Sequence, residues 1–225
     1  MFYLLYFIII MLIPLWAQSK VKNAYAKYSR VPSSTYRRGA EVAREILNAN
    51  GLSHVGVEEQ SGYLSDHYDP RTKTVRLSSE NYHGQSIAAA AIAAHECGHA
   101  IQDDQGYAFL RFRHALVPVA NFGSSLSWVL IMIGILIHLS GMLLLGIIFM
   151  AAAVLFQVIT LPVELNASSR AMDQVVSLGL IRNVEERETR QVLNAAALTY
   201  VAAAAVAVLE LLRLILVYTG MRRND

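Results

Sequence analysis

Long uncharged apolar runs dominate the hydrophobic pattern of this chain. Residues 2–17 carry no charged side chain and are about long enough for one membrane helix, which needs about 17 to 25 residues. Residues 115–163 form an uncharged run of about fifty residues, enough for two helices, and the polar, flexible residues 138–141 predict a turn near its middle. Residues 195–218 predict a last span. The pattern therefore predicts a mainly α, multi-pass membrane protein with about four spans.

The first apolar run has two interpretations, a cleaved signal peptide and an uncleaved anchor. No Lys or Arg precedes it, whereas Lys20, Lys22 and Lys27 follow it. Basic residues after an apolar run favour an anchor whose carboxyl side faces the cytoplasm. The sequence therefore predicts a transmembrane anchor at residues 2–17.

Two polar segments, residues 18–114 and 164–194, lie on either side of the predicted membrane hairpin. Two crossings return the chain to the side from which it started, so both segments face one compartment. Every Lys and Arg except Arg213, Arg222 and Arg223 lies in these segments, which predicts that both are cytoplasmic.

Shorter elements are expected inside the polar segments, from periodicity, turn residues and capping residues. Segment 18–114 is predicted to hold a helix at 35–49, extended runs at 63–68 and 74–78 joined by a turn at 69–72, and a helix from about 85 to 103. Segment 164–194 is predicted to hold a helix at 165–178 and the start of the last helix at 183. The fold class is thus an α-helical membrane protein with a small α+β portion and a short β-hairpin before the helix at 85–103.

An H-E-x-x-H pattern lies on that helix, at His95, Glu96 and His99. Residues four apart share a helix face, so both imidazoles can reach one Zn²⁺ while Glu96 points at its open coordination position. Cys97 lies between the ligands and is expected to be a packing residue. The pattern indicates a hydrolase in which Glu96 is the general base for a zinc-activated water. The alternative is two surface histidines on an alanine-rich helix beside an incidental glutamate.

A catalytic zinc needs a third protein ligand, and Glu164 is the best candidate. It lies where the hairpin re-enters the cytoplasmic side, and the residues after it, Ala167, Ser168 and Ala171, are small at helical spacing. Small residues would let its helix lie close to the histidine helix. Other candidates remain open: Asp173, His114 and Glu185 as ligands, and Asp103 and Asp104 as residues that support the ligands.

Composition narrows the class of protein further. Hydrophobic residues make up 55% of the chain, and the net charge of +2 is too small and scattered to suggest a nucleic-acid partner. A single cysteine cannot form an internal disulfide, which fits a reducing compartment. In the last span, Glu210 and Arg213 lie three residues apart and are expected to pair.

Three sequence blocks carry a family resemblance: DHYDPRTKTVRLS, SIAAAAIAAHECGHAIQ and LPVELNASSRA. Together they resemble the YugP-type neutral zinc metallopeptidases, a bacterial family of multi-pass membrane proteins. The resemblance implies a gluzincin-like catalytic portion, one zinc ion held by His95, His99 and Glu164, and Glu96 as the base. It also implies a bacterial plasma-membrane location and a peptide or membrane-protein substrate.

Two further points follow from likeness to zinc peptidases. The more distant HtpX-type membrane metallopeptidases begin a Glu-x-x-Ala-Asp pattern at the glutamate ligand, but this chain has Ser168 at the aspartate position, so that support is not expected. In such enzymes the strand before the histidine helix has a free edge that binds extended substrate. The likeness therefore predicts substrate contacts at Val75, Arg76 and Leu77, with a purely structural hairpin as the alternative.

The sequence favours a membrane-embedded zinc endopeptidase with a cytoplasmic active site. One alternative is a non-proteolytic zinc-containing membrane partner or chaperone, although a structural zinc site is usually closed by four ligands and needs no base. Another is a zinc amidase that acts on a small or lipid substrate. Membrane partner proteins are compatible with all three.

Overall fold

The computed structural model describes residues 2–222, which form mainly helices with one small sheet. The helices are α1 (Phe2–Tyr28), α2 (Gly39–Ala49), α3 (Ser79–His83), α4 (Ile87–Asp104), α5 (Ala108–Leu136), α6 (Ser140–Ser177) and α7 (Glu186–Arg222), with a one-turn 3₁₀ helix (Asn183–Glu185) before α7. The strands are β1 (Gly56–Gln60), β2 (His67–Asp69) and β3 (Thr74–Ser78).

Within residues 2–222, four helices are long and apolar enough to cross a membrane, namely α1, α5, α6 and α7. This confirms the predicted membrane fold class. The turn expected near the middle of the long apolar run separates α5 from α6, and His138 adopts a positive φ of 54° there. The helices continue beyond the apolar runs into the polar segments, so the domain boundaries drawn from the sequence stay predictions.

The chain divides into two compact units. A helical unit is drawn from the ranges Met1–Pro14, Ala108–Pro162 and Tyr200–Asp225, and a mixed unit from Leu15–Tyr107 and Val163–Thr199. Each unit has its own cluster of buried apolar side chains.

In the helical unit, α5 and α6 pack closely at Gly134, which has no side chain to keep them apart. A Cβ on Gly134 would lie 2.5 Å from the backbone nitrogen of Leu143, so only glycine allows this approach.

Arg213 on α7 donates from Nε and Nη2 to one carboxylate oxygen of Glu210, at 3.0 and 2.8 Å. The predicted pairing of these two charges is confirmed.

In the mixed unit, α2 packs against the alanine-rich α4 through Val42, Ile46 and Leu47, which are at most 1% exposed. α2 ends at Ala49 as predicted but begins at Gly39, four residues later than expected. Within the four residues expected to be helical, Tyr36 adopts a positive φ of 53°. A residue with this φ lies outside the right-handed helical region, so the helix can begin only after it.

The sheet has the strand order β1-β3-β2. β2 and β3 form an antiparallel hairpin as predicted, with Tyr68 opposite Val75, but β2 covers only His67–Asp69 and not the expected run 63–68, within which Leu64 adopts a positive φ of 51°. β1 pairs with β3 in parallel, with Val57 also opposite Val75, and no sequence pattern predicted this strand. As a result β3 is the central strand of the sheet.

Candidate metal centre

The candidate site contains two histidines that lie on one face of α4. Ser86 caps this helix, because its Oγ accepts the backbone N–H of Ala89 at 3.1 Å, and the alanine run that follows favours helix. The ring centroids of His95 and His99 are 4.8 Å apart, and only 14% and 11% of these side chains are exposed. α4 thus presents two neighbouring imidazoles in a largely buried position.

Glu164 on α6 is the third side chain of the site. It is 2% exposed, and its Oε2 lies 3.2 Å from Nε2 of His95 and 3.5 Å from Nε2 of His99. With metal bonds of about 2.0 to 2.1 Å, the ligand atoms of a tetrahedral zinc site lie about 3.3 to 3.4 Å apart. The two separations agree with that geometry, so this donor set fits Zn²⁺.

No other group of side chains within residues 2–222 resembles this one in its ligand atoms and spacing. These three side chains form the one set of three His, Cys, Asp or Glu residues whose ligand atoms all lie within 4.8 Å of one another. Asp103 instead contacts Tyr68 and Lys73, and Glu185 accepts hydrogen bonds from the backbone and the hydroxyl of Ser34. The remaining candidates, Asp104, Asp173 and His114, do not join the set.

A close helix crossing brings Glu164 to the histidines. A Cβ on Gly98 would lie 2.6 Å from the carbonyl oxygen of Ala167, so the backbones of α4 and α6 nearly touch there. Ala167 and Ala171 are completely buried. The expectation that small residues after Glu164 permit this approach is confirmed. Cys97 faces the other way, with its Sγ 3.5 Å from the carbonyl oxygen of Ala43, and is a packing residue as predicted.

The second ring nitrogen of each histidine also has a hydrogen-bond partner. Nδ1 of His95 lies 3.2 Å from Oγ of Ser168, and Nδ1 of His99 lies 3.1 Å from Oε1 of Gln102. Ser168 therefore supports His95 from the position where HtpX-type enzymes have aspartate, which the sequence did not lead us to expect. The sequence also did not identify Gln102 as a partner of His99. The available signal was its position: it is a polar residue on a buried, apolar helix, three positions after His99.

Glu96 lies beside the histidines without joining the group of three. It is 8% exposed, and burial raises its pKa to about 7; His95 opposes this rise, whereas the charges of Glu164 and Asp66 add to it. The backbone amide of Tyr68 donates a hydrogen bond that also favours the charged form. A carboxyl group that titrates near neutrality can both accept and return a proton.

Hydrogen bonds connect the β2–β3 hairpin to α4, the helix that carries the histidines. The hydroxyl of Tyr68 on β2 donates to Asp103 on α4 at 2.7 Å, and Nζ of Lys73 reaches the same oxygen at 2.6 Å. Burial, and then the hydrogen bond to Asp103, raise the pKa of Tyr68 far above its usual value, so the phenol stays a donor. These contacts hold β2 next to Glu96.

The prediction that β3 has a free edge for substrate is wrong. Thr74, Val75 and Arg76 have paired neighbours on both sides, in β1 and in β2. Val75 and Leu77 are completely buried, and Arg76 is held by Asp69. A central strand cannot add an extended peptide, because its backbone hydrogen-bonding groups are already paired.

Comparisons with known proteins agree with this geometry. Residues 3–219 match the model of a family described as "Putative neutral zinc metallopeptidase". The chain is 51% identical over 210 residues to the "Putative membrane protease YugP" of Bacillus subtilis (strain 168), covering 93% of each chain. No solved structure matches the chain.

Proposed function

Because this chain belongs to the family of neutral zinc metallopeptidases whose model it matches, we propose that it is a membrane-embedded zinc endopeptidase. The observation that carries the proposal is the convergence of His95, His99 and Glu164 from two helices, with Glu96 beside them. In our proposal the first three bind one zinc ion and Glu96 does not. A structural site would instead be closed by a fourth protein ligand.

The proposed chemistry is hydrolysis of a peptide bond. Bound zinc would act as a Lewis acid and lower the pKa of a coordinated water towards about 7. Glu96 would accept the proton of the attacking water at its carboxylate and then donate it to the nitrogen of the leaving amine. The position of Glu96 supports both steps, since it lies buried on the histidine helix beside the three proposed ligands.

We place the bound substrate along β2 and not along β3. β2 is an outer strand of the sheet, and no other strand within residues 2–222 pairs with its far side. The N–H of Tyr68 on this outer side is donated to Glu96, so the outer side of β2 runs beside the proposed base. An extended peptide bound there would gain main-chain hydrogen bonds with little dependence on sequence.

The proposed location is a bacterial plasma membrane with the active site facing the cytoplasm. The basic residues that flank the apolar helices support this orientation. Substrates would then be membrane proteins or peptides near the cytoplasmic surface.

The function is tested by incubating purified, zinc-loaded protein with unfolded membrane and soluble proteins and identifying fragments by mass spectrometry. We expect fragments with the wild type, and none with Glu96→Gln or after zinc removal by a chelator. Hydrolysis of lipid amides or other small amides without peptide cleavage would favour the amidase alternative. No hydrolysis of any of these by protein that holds stoichiometric zinc would contradict the proposal.

A further inference from the structure

Gln102 is a buried amide one turn after His99 on α4. It is completely inaccessible to solvent, and its side chain contacts three groups. Oε1 lies 3.1 Å from Nδ1 of His99, while Nε2 lies 2.8 Å from the carbonyl oxygen of Val163 and 2.9 Å from Oδ1 of Asn166. A fully buried amide needs such partners, because an unpaired donor or acceptor costs about 1 to 3 kcal/mol.

The direction of each hydrogen bond in this chain can be fixed, starting from Arg170. A guanidinium can only donate, and Nε of Arg170 lies 2.7 Å from a side-chain atom of Asn166, which must therefore be its oxygen. That oxygen and the carbonyl of Val163 are both acceptors, so the atom of Gln102 that faces them must be the nitrogen. The oxygen of Gln102 is then left facing His99.

The orientation of Gln102 decides the tautomer of His99. An amide oxygen only accepts, so Nδ1 of His99 must carry the proton that it donates. Nε2 of the neutral ring then has a free lone pair, and it is this atom that lies 3.5 Å from Oε2 of Glu164. Ser168 imposes no such direction on His95, because a hydroxyl group can donate or accept.

We propose that Gln102 is a positioning residue for the metal centre: it fixes the tautomer and ring orientation of His99. The same amide links α4 to α6 at Val163, the residue before Glu164, and so connects two of the three ligands. Asn166 and Arg170 set the orientation of Gln102. This inference rests on the proposed function, since it concerns the zinc site of that enzyme.

The affinity test uses Gln102→Met, which keeps the side-chain volume and removes the amide. Zinc affinity is measured by competition with a chromophoric chelator, and we expect it to fall about 10- to 100-fold. The matched control is Thr189→Val, because Thr189 is also completely buried in the mixed unit and donates to the carbonyl of Glu185, away from the metal site. We expect this control to bind zinc like the wild type.

Two further measurements separate positioning from general stability. Thermal unfolding of both zinc-free variants is measured: Gln102→Met should unfold at a lower temperature, because it leaves the carbonyl of Val163 and Nδ1 of His99 without their partner, but both variants should be fully folded at the temperature of the affinity measurement, so that a loss of affinity cannot be assigned to unfolding. Asn166→Asp should keep wild-type affinity, because an aspartate still accepts from both Arg170 and Gln102.

The tautomer itself is observed by ¹⁵N NMR of histidine-labelled, zinc-loaded wild type. We expect His99 to bind zinc through Nε2 and to carry its proton on Nδ1, with a signal that shifts in Gln102→Met. Coordination through Nδ1 of His99, or wild-type affinity in Gln102→Met, would overturn the inference while leaving the proposed enzyme intact. A wild type that binds no zinc would overturn both.

Discussion

Glu96 and Glu164 are both buried carboxylates near the histidines, but we propose different tasks for them because their positions differ. Glu164 lies within 3.5 Å of both Nε2 atoms, as expected of a ligand. Glu96 lies next to β2, where burial raises its pKa to about 7, and it does not join the group of three, so we propose that it carries the proton. Each task predicts a different result when the carboxylate is removed.

Glu96→Gln should keep zinc and lose turnover. The amide preserves the shape of the side chain but cannot carry a proton, and removing a general acid and base costs about 10²- to 10⁴-fold in rate. Bound metal and peptide cleavage are measured on the same preparation. Cleavage at the wild-type rate would contradict the role of Glu96.

Glu164→Ala should lose zinc on mild dialysis, because it removes one of the three proposed protein ligands. Asp173→Ala is the matched control, since Asp173 lies on the same helix with its side chain exposed, and it should keep zinc. Glu185→Ala should also keep zinc, although it removes the hydrogen bonds to Ser34. Full zinc retention in Glu164→Ala, with loss in either control, would move the third ligand to that residue.

At the scale of elements, the site depends on how closely α4 and α6 approach. The histidines and Glu164 come from different helices, so their spacing is set by the crossing at Gly98 and Ala167. Both contacting groups there are backbone atoms, which cannot rotate away as a flexible side chain can.

Gly98→Ala should therefore force the two helices apart. Overpacking of this kind costs about 1 to 3 kcal/mol, and we expect the free energy of unfolding of the zinc-free protein to fall by that amount. Zinc affinity should fall as well, because Glu164 moves with α6. Gly141→Ala is the control: Gly141 is also helical, but a Cβ there meets nothing within 4 Å. Equal behaviour of the two variants would show that the crossing does not set the site.

At the scale of the whole molecule, the membrane hairpin of α5 and α6 lies in sequence between the histidines and Glu164. An even number of crossings is required if all three ligands are to reach one compartment. The basic residues in segments 18–114 and 164–194 indicate that this compartment is the cytoplasm.

Single cysteines at Ser65 and Asn183 should be labelled by a membrane-impermeant thiol reagent only from the cytoplasmic side, and one at Ser140 only from the outside. The native Cys97 is completely buried, so it should contribute little background. Labelling is compared in intact cells and in inverted membrane vesicles. If Ser65 and Asn183 were labelled from opposite sides, the membrane topology that brings Glu164 to the histidines would be wrong.

Elements with local signals could be predicted from the order of the amino acids alone. Uncharged apolar runs predict four spans because a bilayer core excludes charge over a fixed length. His95 and His99 predict one helix face because the α-helical repeat is fixed. Glu164 could be predicted because it follows the hairpin directly and small residues follow it.

The contacts between distant segments could not be predicted in this way and are seen only in the folded chain. The place of β1 in the sheet makes β3 central and moves the open edge to β2, and this depends on backbone pairing that side-chain patterns do not encode. The partner of Gln102 on α6 lies 61 residues away, and Ser168 lies 73 residues from His95. A hydrogen bond across such a separation leaves no periodic signal in the sequence, because it exists only once the two helices have packed.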